Sequence, residues 1–354
     1  MIVRRRPTVG GMAGEQLRGR AERQLRPYRA QDEPAVLALW ARALPRWPVS
    51  AEAFRARTAG AGQLVMVAGG ALAGYISVAR AQARAQLTVI LVDPACRRAG
   101  LGSELLTQAR RNLPDGVTSL SAGSGAGPNF WPGVPEDAPD GWAFLHAHGF
   151  EPAGEMADLI AGIARFRPPG WILSRAGGGV RFELAGTGDA AQVIALQERH
   201  FPYWKGFYEH QLTLPGTVLV ARAGGQIVGT CTVEGPAEYD FLWRALVPGA
   251  VGAFGCVGVD PAARRHGIGL AMVARACELL SARGAEVCYC AYTYLEDWYA
   301  QLGFTRWRGY TMASASAPGG APASAARRAG WASGASRFLF LGRRLSTISA
   351  EGAQ

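Results

Sequence analysis

Two short apolar runs separated by Gly-Gly occur twice in this chain. Leu64-Val65-Met66-Val67-Ala68 and Leu72-Ala73-Gly74-Tyr75-Ile76-Ser77-Val78 flank Gly69-Gly70. The pattern returns in Val218 to Gly229, where Gly224-Gly225 and Gly229 each lie 155 residues further on. Apolar strands around Gly-Gly predict a β-hairpin. Residues 58–79 carry no charge, but Gly60, Gly62, Gly69, Gly70, Gly74 and Ser77 interrupt them. That spacing suits two strands and not a membrane-spanning helix.

Three further landmarks recur in the same order. Residues 29–39 parallel 186–196, each with an Asp (Asp32, Asp189) placed to cap a helix whose apolar positions follow. Val89-Ile90-Leu91-Val92-Asp93-Pro94 runs into Arg97-Arg98-Ala99-Gly100-Leu101-Gly102. Cys256-Val257-Gly258-Val259-Asp260-Pro261 runs into Arg264-Arg265-His266-Gly267-Ile268-Gly269. A helix follows, with Leu270, Val273, Ala274, Cys277 and Leu280 on one face and Gly284 as its stop. Last comes a Gly-Phe pair, Gly149-Phe150 and Gly303-Phe304. Shared landmarks in one order mean duplication. The copies are expected at 25–168 and 178–312, with a linker at 169–177. Residues 1–24 are read as a basic, disordered extension, and 313–354 as a low-complexity linker and basic tail in which Phe338-Leu339-Phe340-Leu341 could dock as a strand.

Composition changes one inference. The formal charge is +10, which would suit a nucleic-acid partner. However, residues 1–29 hold eight Arg against two Glu, and 313–354 hold five Arg against one Glu. The 24 basic and 24 acidic residues of 30–312 cancel. A neutral core argues against nucleic acid. No apolar signal run follows the basic start. The six scattered Cys show neither zinc spacing nor a disulfide scaffold, as expected of buried thiols in a reducing, cytoplasmic compartment. No metal is expected.

Each Arg-x-x-Gly-x-Gly loop stands between an apolar strand and a helix. Its glycines permit positive φ and close backbone approach. The free N–H groups at the helix start face an anion, and Arg97 and Arg264 add forked donors suited to phosphate. The loop is a pyrophosphate cradle, and it matches neither the P-loop nor the Rossmann pattern.

These loops, with Ala143-Phe144-Leu145-His146-Ala147-His148-Gly149-Phe150 and Asp297-Trp298-Tyr299-Ala300-Gln301-Leu302-Gly303-Phe304, resemble the GNAT superfamily of N-acetyltransferases in its tandem form. The resemblance covers most of 25–312. It implies a mixed α/β fold in each copy, a central mixed β-sheet flanked by helices. It implies acetyl-CoA as co-substrate in a V-shaped gap between parallel strands. Pantetheine would pair with Val257 and Val259 in the second copy and Ile90 and Val92 in the first. The pyrophosphate would sit on Arg264, Arg265, His266, Gly267, Ile268 and Gly269, and on Arg97, Arg98, Gly100 and Gly102.

The copies differ where chemistry would occur. In this superfamily a Tyr before Gly-Phe often protonates the departing thiolate. Tyr299 holds that position in the second copy and Leu145 in the first, so the second copy is expected to be catalytic. Glu234, which closes a strand, is the candidate base, with Asp240, Glu296 and Asp297 as rivals. Two aromatic segments border the candidate acceptor region: Phe130, Trp131 and Trp142 beside Glu136, Asp137 and Asp140, and the run Phe201 to Tyr208. The expected function is acetylation of a small-molecule amine by a monomer or homodimer, with no nucleic-acid or membrane partner. A non-catalytic acyl-CoA sensor and an acetyltransferase of a protein target are the alternatives.

Overall fold

A computed structural model describes residues 23–317. The expectations for residues 1–22 and 318–354 lie outside the described residues.

In chain order the elements are β1 (Arg23–Pro27), α1 (Glu33–Ala43), α2 (Ala51–Thr58), β2 (Gly62–Ala68), β3 (Ala71–Ala81), β4 (Arg84–Val92), α3 (Leu101–Arg111), β5 (Ser119–Ala122), β6 (Val134–Pro135) and α4 (Pro139–Ala147). They continue with β7 (Glu151–Gly162), α5 (Gly170–Arg175), β8 (Val180–Leu184), α6 (Ala190–His200), α7 (Lys205–Gln211), β9 (Val218–Ala223) and β10 (Gln226–Glu234). The last are β11 (Val251–Val259), α8 (Ile268–Ala282), β12 (Val287–Thr293), α9 (Glu296–Ala300) and β13 (Thr305–Ser316). Both expected hairpins are present, as β2–β3 and β9–β10.

The described residues divide into two compact units. The first takes residues up to Val134, Asp140–Pro152 and the stretch from Met312; the second takes Pro135–Pro139 and Ala153–Thr311. In the first unit the strand order is β1-β2-β3-β4-β5, followed by the end of β13. In the second it is β7-β12-β11-β10-β9-β8. Each sheet is antiparallel except for one parallel pair, β4–β5 and β11–β12.

The last strand of each sequence repeat is exchanged. β7 closes the first repeat in sequence, yet Ala157–Gly162 pair with β12 of the second unit. Ala313–Ser316, expected to be linker, pair with β5 of the first unit. Residues 170–175, also expected to be linker, form helix α5. Strand pairing is a long-range choice, and local hydrophobic period does not encode it.

Helix α8 buries Leu270, Val273, Ala274, Cys277 and Leu280, the face expected from spacing. They share a core with Leu159, Cys231, Phe254, Cys288, Cys290 and Tyr299. Each leucine so buried contributes roughly 1.5–3 kcal/mol. Gly284 ends the helix at φ +86°. The two Asp residues do not cap forward as expected. Asp32 accepts the N–H of Arg29 and pairs with Arg26 at 2.7 Å, and Asp189 accepts the N–H of Gly186 and pairs with Arg222 at 2.7 Å. A short 3₁₀ turn precedes each helix, so the carboxylate reaches back to that turn.

Candidate functional site

In the second unit β11 and β12 form a fork. Their rungs are Val251↔Val287, Gly252↔Cys288 and Ala253↔Tyr289, after which β11 runs on to Val259 with no further rung to β12. Two local distortions open it. On β11, residues 256 and 257 lie opposite one residue of β10, and Cys256 takes φ +50°. Such a bulge bends and twists its strand. The buried Tyr208 donates its hydroxyl to the Cys256 carbonyl at 2.7 Å, holding the bulge. On β12, Tyr292 takes φ +56°, and its N–H donates to Oδ1 of Asp158 at 3.0 Å. The first unit repeats the fork: β4 and β5 pair only as far as Leu87↔Ala122.

The cradle lies where β11 ends. Asp260 accepts the N–H of Ala262 at 2.9 Å, which tightens the Asp-Pro turn. Nε of Arg264 donates to the Val259 carbonyl at 2.9 Å. Gly267 stands at the N-cap of α8 with φ +79°, and Ile268 is buried as the helix's first anchor. Arg264, Arg265 and His266 are exposed, and Val257 and Val259 are half-buried on β11 beyond the fork. A Cβ on Gly269 would stand 3.4 Å from the Trp298 indole, and one on Gly258 would stand 2.7 Å from the Phe201 ring. Gly258 is therefore a packing requirement, whereas Gly269 has room for a methyl in ordinary contact.

The first unit's cradle has the same build. Asp93 accepts the N–H of Ala95 at 3.0 Å, Gly100 caps α3 at φ +83°, and a Cβ on Gly102 would press on Phe144 at 3.1 Å. Ile90 and Val92 are half-buried on β4, and Arg97 and Arg98 are exposed. One feature escaped sequence reading. Arg98 and Arg265 take positive φ, at 62° and 68°, although neither is glycine. A left-handed residue is uncommon outside glycine, and its presence at the same place in both units shows that the two loops share one backbone path.

Tyr299 and Glu234 meet the fork from opposite faces of the sheet. Phe254 and Cys290 are the first residues past the last rung, and Tyr299 touches both. Its ring lies 5.7 Å from that of Phe254, and it shares a buried core with Cys290. Burial pushes the Tyr299 hydroxyl up, so it is a proton donor throughout the neutral range. Glu234 pairs with Ala253, the β11 residue of the last rung, on the other face. Nε2 of Gln211 donates to its carboxylate at 3.4 Å. Burial raises the Glu234 carboxyl to about 7, with Glu238 adding to the rise and Gln211 opposing it. The rival carboxylates are placed differently: Asp240 and Asp297 are exposed, and Glu296 pairs with Arg306 at 3.3 Å.

The same face of the second unit carries residues that sequence reading did not single out. Tyr289 and Tyr310 both donate to Oδ2 of Asp158, at 2.6 and 2.7 Å. Asp158 is wholly buried, and burial raises its carboxyl to about 6 against those hydrogen bonds. Phe241 and Trp307 lie 4.8 and 6.0 Å from the Tyr289 ring. No sequence signal marks Asp158, because it lies within the first repeat and serves the second unit.

The first unit has other residues at the matching positions. Leu145 is buried in its core. The residue 155 before Glu234 is Ala79, paired with Gln86. Gln86 holds the loop beyond β5 by accepting the N–H groups of Ala126 and Gly127 and donating to the Pro128 carbonyl, at 2.8, 3.0 and 2.8 Å. Phe130 and Trp131 pack on Trp40, with ring distances of 4.7 and 5.7 Å. Both rings are buried, so they form core and are closed to a ligand. Trp142 stacks on His146 at 5.5 Å. In the Phe201–Tyr208 run, Phe201 supports Gly258 and stacks on Trp204 at 5.0 Å, and Tyr208 holds the bulge.

Among the described residues no helix is long and apolar enough to cross a membrane. No group of three His, Cys, Asp or Glu side chains among them is arranged to hold a metal ion.

Comparison with known proteins points one way. Residues 40–125 and 215–306 each match the family "Acetyltransferase (GNAT) domain". The chain is 26% identical over 246 residues to a mycothiol acetyltransferase of Nocardioides sp., covering 61% of this chain and 75% of that protein. It is 29% identical over 216 residues to the mycothiol acetyltransferase of Clavibacter michiganensis, covering 56% of this chain and 60% of that protein. Among solved structures, the GCN5-related glucosamine N-acetyltransferase region of a fungal multi-domain β-N-acetylglucosaminidase superposes with a TM-score of 0.76 at 25% identity. That match covers 83% of this chain, which spans 38% of the fungal protein's length. A tandem GNAT protein from the clavulanic acid pathway superposes with a TM-score of 0.57 at 18% identity, over 84% of this chain and 99% of that one.

Proposed function

This chain belongs to the GNAT acetyltransferases in their tandem form, and on that premise we propose that its second unit acetylates the amine of a small molecule with acetyl-CoA as donor. The observation that carries the reading is the convergence of Tyr299 and Glu234 on the last rung of one strand fork. The residues present fit the donor. The open fork beyond Ala253 leaves β11 free to pair with a pantetheine arm through Val257 and Val259. The arginine-flanked start of α8 suits its diphosphate, with Arg264, Arg265, His266, Gly267, Ile268 and Gly269 around it.

Acetyl-CoA supplies an acetyl group activated as a thioester. Glu234 takes the proton from the acceptor's ammonium, and its carboxyl near 7 suits a base working at neutral pH. The Tyr299 hydroxyl, kept protonated by burial, donates a proton to the departing sulfur. The mycothiol and glucosamine acetyltransferases named above support a small acceptor. The first unit keeps a cradle at Arg97, Arg98, Gly100 and Gly102, but Leu145 and Ala79 leave it without donor or base, and its own loop fills the acceptor side. It is structural in this reading, whether or not a coenzyme rests on it. The neutral core supports a free small-molecule acceptor in the cytoplasm, with no nucleic-acid or membrane partner.

The test is thiol release from acetyl-CoA across a panel of amines, comparing the natural protein with Tyr299→Phe. The variant is expected to lose roughly 10²-fold in turnover with its acetyl-CoA affinity retained. Unchanged turnover removes Tyr299 from the reaction, and binding without any release makes the protein an acyl-CoA sensor.

A further inference from the structure

The two cradles look equivalent in sequence, but only the second has an arginine packed against its helix-start glycine. Helix α5 follows β7 in the stretch between the repeats. Its last residue, Arg175, presses on the cradle glycine of the second unit. A Cβ on Gly267 would stand 2.9 Å from Cγ of Arg175 and 3.1 Å from its Cβ. Three bonds beyond that Cγ lies the guanidinium carbon, so the charge is tethered at the start of α8. Arg175 is exposed and takes no side-chain hydrogen bond or ion pair among the described residues. One turn back on the same face of α5 is Trp171, an indole 52% exposed with no ring partner among the described residues. Ile172 and Ala176 bury the adjoining side of the segment in the core that holds α8, which keeps α5 in position.

At the first cradle the neighbouring arginine, Arg42, is held by the turn carboxylate of Asp93 at 2.8 Å. No atom lies within 4 Å of a Cβ placed on Gly100. A carboxylate is there instead, with Asp140 3.8 Å from Arg97.

We infer that α5 completes the second coenzyme site: Arg175 pairs with the phosphates, and Trp171 stacks on the purine, of a coenzyme A thioester. This rests on the reading that the second cradle holds acetyl-CoA. Arginine suits phosphate because its planar fork offers parallel donors, and an exposed indole suits an adenine face. The inference also sets an order of affinity. The second cradle, with Arg175 and Trp171, binds more tightly than the first, where Asp140 opposes Arg97.

The experiment measures coenzyme A binding to the full chain by calorimetry, for the natural protein, Arg175→Ala, Trp171→Ala and Arg264→Ala. Arg175→Ala and Trp171→Ala are each expected to weaken the tight site about tenfold, the loss of one charge-assisted pair or one stacked base. Turnover with S-acetylpantetheine, which lacks the nucleotide, is expected to be unchanged in both. Desphospho-coenzyme A (without the 3′-phosphate) separates the phosphates: if Arg175→Ala costs as much with it as with coenzyme A, the diphosphate is the partner. If it costs nothing there, the 3′-phosphate is. Wild-type affinity in both α5 variants, with binding lost in Arg264→Ala, overturns the role of α5 alone. No binding by the natural protein overturns the coenzyme reading beneath it.

Discussion

Replacing Glu234 by Gln should make the protein more stable at alkaline pH while removing its activity. The folded carboxyl titrates near 7, against 4.5 for an ordinary glutamate. Between those values the folded state holds a proton that the unfolded chain has released. Stability contributed by this group is therefore fully present below pH 4.5 and is lost as pH rises through 7. The full difference is roughly 3 kcal/mol, an upper figure because Glu234 keeps part of its surface in water. A glutamine has the same shape and no charge to desolvate. Its amide also offers a donor to Oε1 of Gln211, which has no hydrogen-bond partner among the described residues. Urea unfolding of both proteins from pH 4 to pH 9 is the assay. The curves should coincide near pH 4 and diverge by up to about 3 kcal/mol above pH 8, the variant being the more stable. Asp158, raised in the same direction, is present in both and cancels in the difference. Parallel curves would mean that Glu234 is not the titrating buried group. Retained acetyl transfer with an unaltered pH profile would remove it as the base.

Asp158→Asn keeps the shape but turns one accepting oxygen into a donor, which must face either the Tyr292 N–H or the two tyrosine hydroxyls. A loss of about 1–3 kcal/mol in unfolding free energy is expected; equal stability of variant and parent in the same urea titration would show the network to be dispensable. In Gly258→Ala the new methyl meets the Phe201 ring, so the ring must shift, at about 1–3 kcal/mol. Because Arg264 lies 6.0 Å over that ring, weaker coenzyme A binding should accompany a lowered melting temperature. Normal values of both would show that the ring yields freely.

Much of the architecture was present in local pattern. Gly-Gly between apolar runs marked both hairpins, and 3.6-residue spacing marked the buried face of α8. Arg-x-x-Gly-x-Gly after Asp-Pro marked both loops, because positive φ restricts residue choice at Gly100 and Gly267. The contrast of Tyr299 with Leu145 was likewise local, a single position before each Gly-Phe pair. Those signals are short-range: a turn, a helix face or a helix start is dictated by a dozen neighbouring residues.

Tertiary structure decided what depends on distant partners. It exchanged the last strands of the repeats, so that Asp158 from the first repeat holds β12 of the second unit. It brought Glu234 and Tyr299, 65 residues apart in sequence, to one rung of a fork, on opposite faces. It buried Phe130 and Trp131, which their loop composition had offered as ligand-facing aromatics, because Gln86 ties that loop over the sheet. It also set Arg175, from a stretch read as linker, against Gly267. Each of these is a long-range pairing made on folding. A one-dimensional pattern carries the preference of a residue for strand, helix or turn, but not the identity of the neighbour it meets there.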